Sequence, residues 1–159
     1  MKVYISGKIG EEVLTDATRE KFAKAERLLK SKGYDVFNPT TSGLGKLAEE
    51  LARQNGTDFY TEIMKLDLEQ LEECDAIYML KDWWASPGAK QELGVAVDLK
   101  IKVFFEEEGP HSAMHTCCLC ERRFYGWGNN PQPVRDSGVC CDDCNYSVVL
   151  KERLTCARK

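Results

Sequence analysis

The chain has 159 residues, 43% hydrophobic and 30% charged, with a formal net charge of −4 at pH 7. That length suits one ordinary domain plus a small appendage, and the acidic balance excludes broad electrostatic attraction to nucleic acid. No apolar run approaches the ~20 residues of a membrane span, and Met-Lys before "VYIS" turns polar too early for a signal peptide; a cytoplasmic chain with no membrane partner is expected.

"KVYISG" (2–7) predicts a short strand ending in glycine. A helix follows at 15–32, with Phe22, Ala25, Leu28 and Leu29 on one side and Gly33 as its stop. "YDVFNP" (34–39) predicts a second strand closed by Asn-Pro. Residues 40–56 hold a short helical pattern between glycines, the pattern of an insertion or a mobile active-site loop. A long helix at 57–73, a strand "CDAIYML" (74–80), a helix at 87–100 and a strand "KVFF" (102–105) complete the series. Strands alternating with helices predict an α/β domain over residues 1–105, with a parallel sheet covered on both faces. Ligands of such sheets bind at the carboxyl ends of the strands, which points to the loops "SGKIG" (6–10) and "KDWWASPG" (81–88). Residues 106–115 read as a linker, and a tail begins at 116. The tail carries seven Lys/Arg against five Asp/Glu, a net +2, which leaves −6 on residues 1–115.

Two helices each place one acid among apolar residues. In 57–73, Tyr60, Ile63, Met64, Leu71 and Cys74 form a core stripe with Asp67 in its middle, while Thr61, Glu62, Lys65, Glu69, Glu72 and Glu73 take the polar side. In 87–100, Lys90, Gln91 and Asp98 gather on one side, and Glu92 falls between Leu99 and Ala96. A buried ionised carboxylate is costly unless compensated. Either acid alone also fits a structural partner for a loop or an arginine. Two of them beside one strand end perturb each other's pKa and suit acid/base or nucleophilic work. Ahead of Glu92, "SPG" puts Ser86 at an N-cap, Pro87 in the first turn and Gly88 where backbone approaches a ligand, an anion site one turn from Glu92. Ser6, Gly7, Lys8 and Ile9 supply a second grip. Trp83 and Trp84 either stack on a base or anchor the loop.

"VYISGKI", "YxxxMKxDLxxLxxCDAIYML" and "SPGAKQELGVAVDL" together resemble the nucleoside 2-deoxyribosyltransferase superfamily, which includes the 2'-deoxynucleoside 5'-phosphate N-hydrolases, over residues 2–105. The resemblance implies a flavodoxin-like fold and cleavage or transfer at the N-glycosidic bond of a deoxynucleoside or its 5'-monophosphate, with no cofactor for catalysis. It implies that Glu92 is the nucleophile, that Asp67 assists the base or the sugar, that Tyr4 is the tyrosine of the first strand, and that Ser86 and Gly88 meet the 5' end. It also implies a homo-oligomer, because family members complete their sites with a neighbouring subunit. The phosphohydrolase pattern has an arginine in the first loop where "GKIGEE" offers only Lys8, so nucleoside and monophosphate both stay open. The other readings are a non-catalytic nucleotide-binding or sequestering protein whose tail recruits a partner or nucleic acid, and a nucleic-acid-associated adaptor led by the tail.

Of eight cysteines, six lie between 117 and 144. Cys117-x2-Cys120 and Cys141-x2-Cys144, separated by 20 residues, have the spacing of one tetrahedral zinc site of ribbon or knuckle type. Cys118 or Cys140 can replace a neighbour in that register, His115 is an alternative ligand, and a redox role is the other reading. A segment this small needs the metal for stability. A structural or dimer-related role is expected. A charge of +2 argues against phosphate-backbone binding through Arg122, Arg123 and Arg135.

Overall fold

The computed structural model describes residues 1–10 and 14–157. They form two compact units, Met1–Glu107 and Glu108–Lys159, each taken here by itself.

The first unit runs β1 (Lys2–Ser6), α1 (Asp16–Ser31), β2 (Asp35–Phe37), α2 (Leu44–Asn55), α3 (Phe59–Glu72), β3 (Ala76–Met79), α4 (Pro87–Asp98) and β4 (Lys102–Phe105). All strand pairs are parallel, in the order β2-β1-β3-β4. That is the flavodoxin-like order up to its fourth strand, with the change of direction between β1 and β3. The expected α/β class and parallel sheet are therefore present.

Alternation along the strands sorts the two faces. Val3 and Ile5 of β1, with Ala76, Tyr78 and Leu80, pack against Phe22, Ala25 and Leu29 of α1. The intervening Tyr4, Ser6, Ile77 and Met79 are also buried, so they point to the opposite face, where α3 and α4 lie. Side-chain caps fix where the helices start: Thr15 for α1, Asp58 for α3 and Ser86 for α4 each accept a bond from the third residue onward.

Several expectations are corrected. The helical pattern in 40–56 is a regular helix, α2, that packs along α3 rather than a mobile loop. It brings the turn after α2 to α3, so Glu62 is 2% exposed and accepts from Thr57, Asn55 and Lys65. Tyr60, read as core, is 51% exposed. The stripe through Met64, Asp67 and Leu71 stays buried, Tyr60 in the first turn lies beyond its end, and Glu62 is buried separately beside the turn after α2. Leu28 is exposed as well, since Phe22, Ala25 and Leu29 suffice to cover the sheet.

In the second unit β5 (Met114–Thr116) pairs antiparallel with β6 (Arg123–Tyr125). Residues 106–115 were expected to be a linker, yet this stretch contributes a 3-10 turn at Pro110–Ser112 and most of β5. Helical turns at Asp142–Cys144 and Asn145–Val149 lead into α5 (Leu150–Cys156). Cys117, Cys140, Cys141 and Val149 form the buried centre.

Gly7 ends β1 in close contact with the neighbouring strand, where an added Cβ would fall 2.7 Å from Leu80 Cδ1 and 2.9 Å from Leu80 Cβ. Gly7→Ala is expected to cost about 1–3 kcal/mol by overpacking. Gly94→Ala, with nothing within 4 Å, should instead stabilise α4 by about 0.5–1 kcal/mol. Urea unfolding of the two variants checks the opposite signs.

Candidate functional site

Glu92 sits in the second turn of α4, is 7% exposed, and faces the sheet. Both carboxylate oxygens are held by β1. Tyr4 Oη donates to Oε1 at 2.8 Å and Ser6 Oγ donates to Oε2 at 2.5 Å. Residues 4 and 6 can do this together because they share one face of a strand. The Tyr4 ring is fixed in turn by stacking on Phe37, 5.2 Å between centroids and 16° from parallel. Burial, then the nearby charge of Glu92, holds the Tyr4 hydroxyl well above its ordinary range, so it remains a donor.

Asp67, on α3, lies close enough for the charge of Glu92 to act on it. It is 7% exposed, and its Oδ1 is buried with no hydrogen-bond partner. Burial, reinforced by the charge of Glu92, pushes the Asp67 carboxyl up to about 8. Burial also pushes Glu92 up to about 7, against the pull of the Ser6 and Tyr4 hydroxyls. The asymmetry has a plain origin. Two hydroxyls donate to Glu92, whereas Asp67 Oδ1 has no partner, so protonation is favoured at Asp67 over Glu92.

Ser86 caps α4, its Oγ accepting from Ala89 N–H at 3.2 Å. The Gly88 N–H lies in the first turn, where helix geometry offers no intrahelical partner. A Cβ on Gly88 would fall 3.3 Å from Met64 Sδ and 3.6 Å from Tyr60 Oη, so the first turns of α3 and α4 nearly touch there. Tyr4, Ser6, Asp67 and Glu92 therefore converge, with Ser86 and Gly88 one turn above. Gly7 packs on Leu80, the Lys8 N–H is bound to Asp82 Oδ1 at 3.2 Å, and Ile9 packs against the α1-side core. Of the two tryptophans, Trp83 is a loop anchor, buried 5.9 Å from the Phe105 ring, while Trp84 is half exposed. Phe37, Tyr60 and Met64 are neighbours that the sequence analysis did not place at the site. Phe37 was detectable in principle, since it stands opposite Tyr4 in the β1–β2 register.

The family described as "Domain of unknown function (DUF4406)" matches residues 1–105. The chain belongs to this family. No curated protein matches it. Among solved structures, the chain is similar to the 2-deoxyribosyltransferase of Bacillus psychrosaccharolyticus, at 20% identity over 66% of this chain and 71% of that one, with a TM-score of 0.46. It is also similar to the 2-desoxiribosyltransferase of Leishmania mexicana, at 16% identity over 94% of this chain and 97% of that one, with a TM-score of 0.45.

Beyond the DUF4406 match lies the cysteine cluster. The Sγ atoms of Cys117, Cys120, Cys141 and Cys144 all lie within 4.8 Å of one another. Cys117 Sγ also accepts from the backbone N–H of Leu119 and Cys141, which favours a thiolate. Four converging thiols with N–H donors fit a tetrahedral d¹⁰ cation such as zinc. The register left open by the doubled cysteines resolves through the backbone. Cys118 N–H bonds Val139 and Cys140 pairs with Asn129, and neither cysteine joins the cluster. His115 stays outside it and lies against Phe124. Among the described residues, the arginines of this unit hold internal partners: Arg122 on Asp143, Arg123 on Met114, Arg135 on the Cys118 carbonyl and Arg153 on Gln132 and Asn130.

The two raised carboxyls link stability to pH. An unfolded chain releases the Asp67 proton near 3.8, whereas the folded one keeps it to about 8. Stability from this group is therefore fully present below that lower value and is lost as pH climbs toward the upper one. Asp67→Asn is expected to flatten this fall, gaining on the order of 1–3 kcal/mol over wild type at alkaline pH and little in acid. Denaturant titrations of both proteins at the two ends of the range measure it.

Proposed function

We propose that the first unit is an N-glycosidase acting on a 2'-deoxynucleoside or its 5'-monophosphate, with Glu92 as nucleophile. The observation that carries this reading is a buried carboxylate oriented through both oxygens by Tyr4 and Ser6, beside a second carboxyl with an unpartnered buried oxygen. The three sequence motifs that resemble the nucleoside 2-deoxyribosyltransferase superfamily support it independently.

The chemistry follows from the asymmetry of the two acids. Glu92 attacks the anomeric carbon, forming an ester bond to C1' as the C1'–N bond breaks. The bonding pair leaves on the base, and protonated Asp67 supplies the proton that the base takes up. Water then adds at C1' and gives a proton back to Asp67, releasing Glu92; a second base in place of water makes the step a transfer. Tyr4 and Ser6 keep Glu92 aimed through the cycle, and each oxygen retains a lone pair for attack. Ser86 and the free Gly88 N–H meet the 5' end, with Lys8, Gly7 and Ile9 along the opposite edge and Trp84 available to the base. By the same resemblance the chain functions as a homo-oligomer.

In the second unit Cys117, Cys120, Cys141 and Cys144 hold one structural zinc, which ties the two knuckles together and replaces a hydrophobic core. Because its arginines are committed to internal partners, the unit serves structure or assembly rather than nucleic-acid binding.

Incubation with a panel of deoxynucleosides and their monophosphates should release free base from at least one member. Glu92→Gln should reduce release on the order of 10³-fold or more while leaving the protein folded. Ligand binding without release by the wild type would replace the enzyme with a sequestering protein. The full chain should carry one zinc; chelation or Cys144→Ser should remove it and abolish the cooperative melting of residues 108–157, as followed by amide exchange.

A further inference from the structure

We propose that Lys21 is a positioning residue whose ammonium locks the β1–α1 loop to the β3–α4 loop and so fixes both edges of the cleft over Glu92. The backbone ladder between β1 and β3 ends with Leu80 N–H on the Ser6 carbonyl at 2.8 Å. Past that bond the two chains separate, one toward Lys8 and the other toward Asp82, and strand pairing no longer joins them. Lys21 reaches the gap from α1, which packs on the sheet face opposite α4. Its Nζ donates to the Lys8 carbonyl at 2.6 Å and to Asp82 Oδ2 at 2.6 Å. Asp82 Oδ1 accepts the Lys8 N–H at 3.2 Å, which closes a ring of three bonds, each with a charged donor or acceptor.

The ring sits where its geometry matters to the carboxylate. Lys8 follows by two residues Ser6, which holds Glu92. Asp82 precedes by four residues Ser86, which caps the helix that carries Glu92, and the stretch between is one 3-10 turn, Trp83–Ala85. Rigid segments of two and four residues thus run from the ring to two groups that orient the proposed nucleophile. Both partners are partly solvated, their side chains 23% and 32% exposed, so the pair contributes little to global stability. Lys21 and Asp82 also line a groove of about 380 Å³ with Lys8 and Thr15 on the α1 side, which places the ring at the surface rather than in the core.

For its kinetic consequence this inference rests on the glycosidase reading; for the lock itself it does not. The test compares wild type with Lys21→Met, Asp82→Asn and the double variant by amide exchange and by steady-state base release. Lys21→Met should raise exchange at both Lys8–Gly10 and Trp83–Ser86 by about fivefold or more. The double variant should be no worse than the single, because both changes break one ring. KM should rise about tenfold with kcat moved less than about threefold, the signature of misplaced binding edges. If Lys21→Met does not fold, Asp82→Asn carries the same comparison. Unchanged exchange at either segment overturns the lock, as does an additive double variant. Raised exchange with KM and kcat both unchanged leaves a merely structural tie and overturns the positioning role. A wild type that releases no base, with exchange raised at both segments, refutes the glycosidase reading and upholds the lock.

Discussion

An ionised carboxylate beneath a parallel sheet is a steep liability, and the arrangement around Glu92 is built to meet it. Taking such a group out of water costs several kcal/mol unless hydrogen bonds replace the lost solvent. Bonds from neutral hydroxyls to a charged acceptor return on the order of 1.5–3 kcal/mol each, and β1 provides two, from Tyr4 and Ser6. That demand explains a strand that is otherwise hard to rationalise. β1 is central and buried on both faces, yet it puts a phenol and a hydroxyl at alternate positions where valine or isoleucine would pack as well.

The same demand separates the two acids. Asp67 shares the pocket but has no donor at Oδ1, so it keeps its proton and can give it away, whereas Glu92 can carry charge. Burial raises both carboxyls, and the hydrogen bonds to Glu92 are what separate the two. The sheet order sets where this happens. β1 and β3 are adjacent and their connections leave in opposite directions, which opens a crevice at their carboxyl ends.

Periodicity made most of this legible in the sequence, because the strands and α4 are short elements whose patterns have one reading. β4 spans Lys102–Phe105, the same four residues that "KVFF" marked. Glu92 stood out since α4 is apolar on all but its outer face, so an acid inside the stripe had nowhere else to go. The arc of α3 was less determinate. Tyr60 lies in line with its stripe but in the first turn, while Glu62 lies on the polar side, and the burial of Glu62 depends on the turn that follows α2. With α2 in place Glu62 gains Thr57, Asn55 and Lys65 as partners, and Tyr60 is left outside. Local pattern cannot report a partner element that is itself misread. Trp83 was ambiguous for a similar reason, as its anchor Phe105 lies on a later strand.

The second unit obeys a different economy of forces. Its buried centre is largely sulfur, with Cys117, Cys140, Cys141 and Val149 at the middle, and thiols bury far less apolar surface than leucine or phenylalanine side chains. Compaction there must come from directional bonds. Arginines serve that purpose by capping carbonyls, as Arg153 does at Gln132 and Asn130, and the four converging thiols of Cys117, Cys120, Cys141 and Cys144 supply a second set once a cation joins them. The positive charge of this unit is thus drawn in part into its own architecture.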